Sequence, residues 1–191
     1  MRHAHTASSK QFNGHDDSPL DEIGIRQAEE KREQNFKLSH FDFVTCGTKQ
    51  RHYQTAEILT NGKCPIVQDK RLDEINCGKF EGLQRNLALE LAFLASTRTG
   101  TFDVETWEDL LKRTDNIYGD ILREHPEQDG LVVTSTMNVT AFKKLSELRI
   151  MMTDDNGVKS RVKNCDYITI MRPKPWKAED IIPSGLLQQN F

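Results

Sequence analysis

Long apolar runs are missing from this chain. No stretch approaches the ~20 residues that a membrane-spanning helix needs, and no charged start followed by an apolar core marks a secretory signal. The sequence is polar from residue 2 onward. An excess of positive charge is missing too: 26 Lys and Arg face 29 Asp and Glu, a net charge of -3. That leaves no basic footprint for nucleic acid. Cysteine is sparse and unpatterned. Cys46, Cys64, Cys77 and Cys165 share neither a CxxC spacing nor a Cys/His zinc pattern, so reduced thiols and a cytoplasmic location are expected. There is no repeat, no low-complexity tract and no linker rich in Gly and Ser. With 36% hydrophobic and 29% charged residues, the 191-residue chain is sized for one domain with a real core. That domain is taken as residues 1–191, with a tail over 173–191 that carries Pro173, Pro175 and Pro183.

What is present alternates between two periodicities. Phe41-Asp42-Phe43-Val44-Thr45-Cys46 repeats every second residue and predicts a strand, as do Pro65–Gln68, Leu131–Thr134 and Asp166–Met171. Helices are predicted over 20–35, 49–60, 85–94, 105–125 and 139–151. The fourth is the most clearly amphipathic, with Trp107, Leu110, Leu111, Ile117, Tyr118, Ile121 and Leu122 near helical spacing. Strand and helix in alternation predict a three-layer α/β sandwich: a largely parallel sheet with helices on both faces. In such sheets the ligand site lies beyond the carboxyl ends of the strands, where helix N-termini meet anions.

Three segments fall there: Arg2-His3, Cys46 through Arg51, and Thr134-Ser135-Thr136. Guanidinium groups hold phosphoryl oxygens in a bidentate fork, and an imidazole can attack phosphorus. Leu72-Asp73-Glu74 offers a carboxylic acid to protonate a leaving oxygen.

In order and spacing these pieces resemble the histidine phosphatase superfamily, which contains phosphoglycerate mutase. Arg2-His3-Ala4-His5-Thr6 resembles its Arg-His-Gly-Glu-Thr signature, and Gly14 through Ala28 its following loop and helix. Arg51-His52-Tyr53-Gln54-Thr55-Ala56 matches its Arg-x-x-Gln-Thr-Ala helix. Leu72-Asp73-Glu74 with Gly78 and Glu81-Gly82 match the next block, and Glu105-Thr106-Trp107-Glu108 the one after. The resemblance implies a phosphoglycerate mutase-like fold and a phosphomonoester hydrolase that uses no metal and no cofactor. His3 would be the phosphorylated nucleophile. Arg2 and Arg51 would clamp the phosphoryl oxygens, and Glu74 would act as general acid and then base. The partner implied is a small soluble phosphate ester. Residues 80–104 would carry specificity, and they contain no basic cluster to suit a highly anionic substrate.

Four departures keep a second reading open, a catalytically silent member that binds a phosphorylated ligand or a partner protein. Ser135 stands where the family has its second core histidine, with Thr136 and Met137 in place of two glycines. A serine there can donate to a phosphate oxygen but carries no charge. Ser9 replaces an Asn found in many members. His5 replaces a Glu; in an extended segment it shares a face with His3 and is a candidate for the missing imidazole. An apolar strand implied ahead of Arg2 is also absent, which leads to the expectation that the chain starts at an internal Met of a longer protein. Two other readings are weaker. His3 and His5 lack a third ligand at zinc spacing, and Cys46 is separated from Arg51 by four residues, where thiol phosphatase chemistry wants five.

Overall fold

Phe43–Cys46 (β1), Ile66–Gln68 (β2) and Gly130–Val133 (β3) form a parallel sheet in the order β2-β1-β3. The structure is a computed structural model and describes residues 1–36 and 41–151. In register, Val44 lies opposite Ile66 and Leu131, and Cys46 opposite Gln68 and Val133. Parallel neighbours require crossovers. The first is helix α2 (Gln50–Thr60), between β1 and β2. The second is longer and holds α3 (Leu87–Thr99) and α4 (Trp107–Glu124). Helix α1 (Glu22–Lys31) precedes β1 and runs into a π-helical turn over Arg32–Phe36, and α5 (Thr136–Met151) follows β3.

Alternation along the strands sorts the core into two faces. Val44, Cys46, Leu131 and Val133 pack with Ala28 of α1 and with Ala56 and Leu59 of α2. Val132 points the other way, toward Leu72, Ile117, Tyr118 and Phe142, where α4 and α5 close the opposite layer. A third cluster, built on Phe12, Ile75, Phe80, Phe93 and Leu110, sits under α3 at the site end of the sheet. The three-layer α/β expectation thus holds. The predicted strand over Asp166–Met171 and the tail over 173–191 lie outside the described residues.

The first residues of the chain join the sheet beside β3. Residues 1–3 run parallel to the end of β3, with Arg2 bridged to Thr134. The Thr134 amide donates to the Met1 carbonyl at 2.8 Å, and the His3 amide to the Thr134 carbonyl at 2.9 Å. Met1 is buried in the core between sheet and helices. The Ala4 amide then donates to the Thr55 hydroxyl on α2 at 3.1 Å. Arg2-His3 is therefore fixed by backbone hydrogen bonds on both sides.

Candidate active site

Every segment of the site leaves the same end of the sheet. Residues 1–6 leave beside β3, residues 47–49 follow β1, residues 69–74 follow β2, and Thr134-Ser135 link β3 to α5. The Thr134 hydroxyl donates to the Leu72 carbonyl, and the Asn138 amide to the Arg71 carbonyl at 3.2 Å. These bonds tie the loop that carries Asp73 and Glu74 to the start of α5.

Arg2, His3, Glu74 and Met137 help to line a cavity of about 310 Å³. His3 is 8% exposed. Its Nδ1 lies 2.7 Å from the Ala4 carbonyl. A carbonyl only accepts, so Nδ1 carries the proton and Nε2 keeps the lone pair. Burial, then the nearby His52, Arg51 and Arg2, pushes the His3 imidazole well below its ordinary range, against the Ala4 bond. It is neutral near pH 7, as a nucleophile must be. Glu74 is shifted the other way. Burial raises its carboxyl, opposed by the Ile75 amide at 2.9 Å, the Met137 amide at 3.3 Å and the charges of Arg51 and Arg2. A raised carboxyl suits a proton donor.

The two arginines differ. Arg2 borders the cavity, and its Nε is buried with no hydrogen-bond partner among the described residues. Arg51 is fully buried on α2, and its terminal nitrogens donate to the carbonyls of Asp16 at 2.5 Å and Gly14 at 2.8 Å. Only its Nε is left unpartnered among the described residues. Glu81 holds the same loop from its other side, accepting from the amides of Gly14, His15 and Asp16 at 2.9, 3.3 and 3.0 Å. Arg51 thus fixes the 14–16 loop while its charge acts on His3 and Glu74.

Ser135 is fully buried and is not part of the cavity wall, whereas its neighbours Thr136 and Met137 are. Its hydroxyl lies 2.7 Å from Nε2 of His52. His5 is not available as a replacement imidazole. Its Nδ1 is 2.8 Å from Asp21, the N-cap of α1, and its Nε2 is 2.7 Å from the Ser9 hydroxyl, so both ring nitrogens are engaged. The same contacts remove His5 from any metal pair with His3. Cys46 is buried in the core, where desolvation and the nearby Asp73 push its thiol up to about 12, so it has no thiolate to offer.

Four contributors escaped the sequence reading. Arg85 and Asn13 border the cavity, and the buried His52 and Asp73 lie behind it, the His52 ring centre 5.3 Å from that of His3. The signal for His52 was a histidine gained at a free position of one motif in a chain that lost one from another.

Comparison with known proteins agrees with this geometry. Residues 1–165 match the family model of the histidine phosphatase superfamily (branch 1). A probable phosphoglycerate mutase GpmB of Proteus mirabilis is 33% identical over 91 residues, which is 46% of this chain and 41% of that protein. The aligned region thus spans less than half the length of that relative. Among solved structures, Bacillus stearothermophilus YhfR superposes with a TM-score of 0.67 at 24% identity, covering 76% of this chain and 77% of that one. A mycobacterial glucosyl-3-phosphoglycerate phosphatase superposes with a TM-score of 0.66 at 19% identity, covering 76% of each chain. With an Arg-His pair held beside a strand end, a raised carboxyl across the cavity, and a family match over most of its length, this chain belongs to the histidine phosphatase superfamily.

Proposed function

We propose that the protein is a phosphomonoester hydrolase that works through a phosphohistidine on His3. The observation that carries this reading is the tautomer of His3: the Ala4 carbonyl fixes the proton on Nδ1, leaving Nε2 as the nucleophile in a cavity bordered by Arg2 and Glu74. In the first step Nε2 attacks phosphorus, the ester P–O bond breaks, and the leaving oxygen takes the proton of Glu74. In the second step a water oxygen attacks phosphorus and gives its proton to the Glu74 carboxylate. The P–N bond then breaks, its electron pair returns to Nε2, and Glu74 is again the acid. Arg2 holds the phosphoryl oxygens through both steps, and Arg51 adds its charge from behind the 14–16 loop.

The remaining wall mixes apolar side chains with the polar Ser9, Gln11, Asn13 and Thr136. Phe12, Ile75, Phe93 and Met137 face the cavity, and Arg85, 4.7 Å from the Phe12 ring centre, adds a single cation. Hydrolysis is preferred over mutase transfer because this wall, among the described residues, lacks the basic cluster that a second phosphate would need.

The test is hydrolysis of p-nitrophenyl phosphate by the full chain in the presence of a chelator. Turnover that survives chelation and disappears in His3→Ala supports the reading. Turnover retained in His3→Ala contradicts it. A second reading, a silent phosphate binder, is favoured by one observation, the Met137 side chain against the site. Its mark is saturable binding of inorganic phosphate without any turnover.

A further inference from the structure

Arg85 is the charged side chain of the cavity wall that the proposed chemistry leaves unused. The ionisable groups on that wall are Arg2, His3, Glu74, Cys77 and Arg85. Arg2, His3 and Glu74 act on the phosphoryl group, and burial pushes the Cys77 thiol far up. Arg85 is held from two sides. Residues 10–12 pair antiparallel with residues 82–85: Gln11 bridges Gln84, the Arg85 amide donates to the Lys10 carbonyl at 2.9 Å, and the Phe12 amide to the Leu83 carbonyl at 3.0 Å. On that fixed backbone the guanidinium carbon stands 4.7 Å from the centre of the buried Phe12 ring, a cation over an aromatic face. Its Nε donates to Glu90, in the first turn of α3, at 3.2 Å. Its two terminal nitrogens make no hydrogen bond among the described residues.

Depth orders the site. His3 is buried, whereas the Arg85 side chain is 43% exposed, so the nucleophile lies at the bottom of the cavity and Arg85 at its mouth. In-line attack puts the leaving oxygen on the far side of phosphorus from Nε2, and the alcohol runs outward from there. We infer, on the reading of His3 as phosphoryl acceptor, that Arg85 determines specificity for the alcohol part of the substrate: its two terminal nitrogens take a carboxylate, and the preferred substrate is a phosphate monoester whose alcohol carries one such group. A guanidinium fork matches the two oxygens of a carboxylate, and a single cation matches a single negative charge. The carbon skeleton between the two anionic ends has Phe12, Ile75, Phe93 and Met137 to lie against.

The charge of Arg85 reaches into the cavity. Burial lowers the Arg2 guanidinium, the charge of Glu74 opposes this, and the charge of Arg85 adds to the lowering. Two cations facing one cavity repel each other, and a ligand with an anionic group at each end relieves both. Glu90 is no obstacle, because it occupies Nε alone through a half-exposed ion pair of the kind that contributes little. The same exposure bounds the effect on the ligand. A charged hydrogen bond at the mouth of a cavity discriminates roughly tenfold, well short of a buried pair.

The test sets p-carboxyphenyl phosphate against p-carbamoylphenyl phosphate, which keeps the shape and loses the charge. The readout is the ratio of kcat/KM for the two esters, compared between proteins so that the intrinsic reactivity of each ester cancels. Relative to wild type, Arg85→Gln is expected to move the ratio against the carboxylate ester roughly tenfold. Arg85→Glu sets a carboxylate against a carboxylate and is expected to move it further. A merely structural Arg85, or one that grips the phosphoryl group itself, would lower both esters alike, so a ratio unchanged in both variants overturns the assignment. The second readout needs no turnover: calorimetric binding of p-(phosphonomethyl)benzoate and p-(phosphonomethyl)benzamide, whose P–C bonds do not hydrolyse. Wild type is expected to favour the benzoate, and Arg85→Gln to lose that preference. If the phosphonates show this shift while neither ester is turned over, the hydrolase reading fails alone and Arg85 keeps its role. A wild type that binds both phosphonates equally, or neither, overturns it.

Discussion

At the scale of single residues, the site separates groups by what burial does to them. The same dry surroundings that keep His3 neutral raise the carboxyl of Glu74, the two directions of shift that the proposed nucleophile and proton donor need. Replacing the acid, Glu74→Gln, is expected to lower kcat by roughly 100- to 10,000-fold on esters with poor leaving groups. On p-nitrophenyl phosphate, whose leaving oxygen needs little help, the loss is expected to be smaller. Comparing kcat for an alkyl and an aryl phosphate checks this, and equal losses on both would remove Glu74 as the acid. Arg2, His3 and Glu74 were legible in the sequence because each sits in a motif whose spacing is tied to the chemistry. Ser135 was legible only as a loss. That His52 lies against it depends on the starts of α2 and α5 meeting at the same end of the sheet, a three-dimensional fact with no local signature. The prospect of His5 as substitute failed for a related reason, since sharing a face with His3 in an extended segment does not outweigh two good partners, Asp21 and Ser9.

At the scale of elements, α1 is fastened to the site segment. Asp21 caps it by accepting from the Gly24 amide at 2.9 Å while holding His5. The His5 amide donates to the Gln27 side chain at 3.0 Å. Loss of the cap in Asp21→Ala is expected to cost about 1–2 kcal/mol in urea unfolding. Gly24 allows a closer approach still: a Cβ there would stand 2.1 Å from the His5 carbonyl oxygen. Gly24→Ala is therefore expected to destabilise by about 1–3 kcal/mol, as overpacking does, and a change below a few tenths would contradict the close contact. Strongly periodic elements such as β1 and α4 were readable to within about two residues. Others were not. Helix α5 begins at Thr136, ahead of the predicted 139, because its first turn is secured by tertiary bonds, Asn138 to the Arg71 carbonyl and the Met137 amide to Glu74. Helix α3 runs on past its apolar stretch to Thr99, where Gly100 in the left-handed region ends it by donating its amide to the Ser96 carbonyl at 2.8 Å.

At the scale of the whole molecule, two buried histidines make stability depend on acid. His3 and His52 stay neutral in the folded protein, whereas an unfolded histidine takes a proton near pH 6.5. Below that pH the unfolded chain binds more protons, so stability rises with pH through this window and falls on acidification from about 6.5 toward 4. Each group contributes a slope of up to about 1.4 kcal/mol per pH unit. Glu74, raised by burial, works in the opposite sense. It adds stability at low pH that is lost as pH climbs through its folded value. His52→Gln is expected to flatten the fall between pH 6.5 and 4 in urea midpoints; an unchanged slope would mean that His52 is charged in the folded state. The sheet itself was largely foreseeable from alternating strand and helix. The pairing of residues 1–3 along β3 was not, since three residues are too few to carry a period. That pairing places His3 at the end of the sheet, where it is proposed to take the phosphoryl group. The most direct measurement is to quench the full chain during turnover of p-nitrophenyl phosphate and map any acid-labile phosphoryl group by mass spectrometry. The expected result is a phosphoryl group on the peptide containing His3, absent in His3→Ala. Turnover with no phosphorylated histidine, or with the phosphoryl group on another residue, would contradict it.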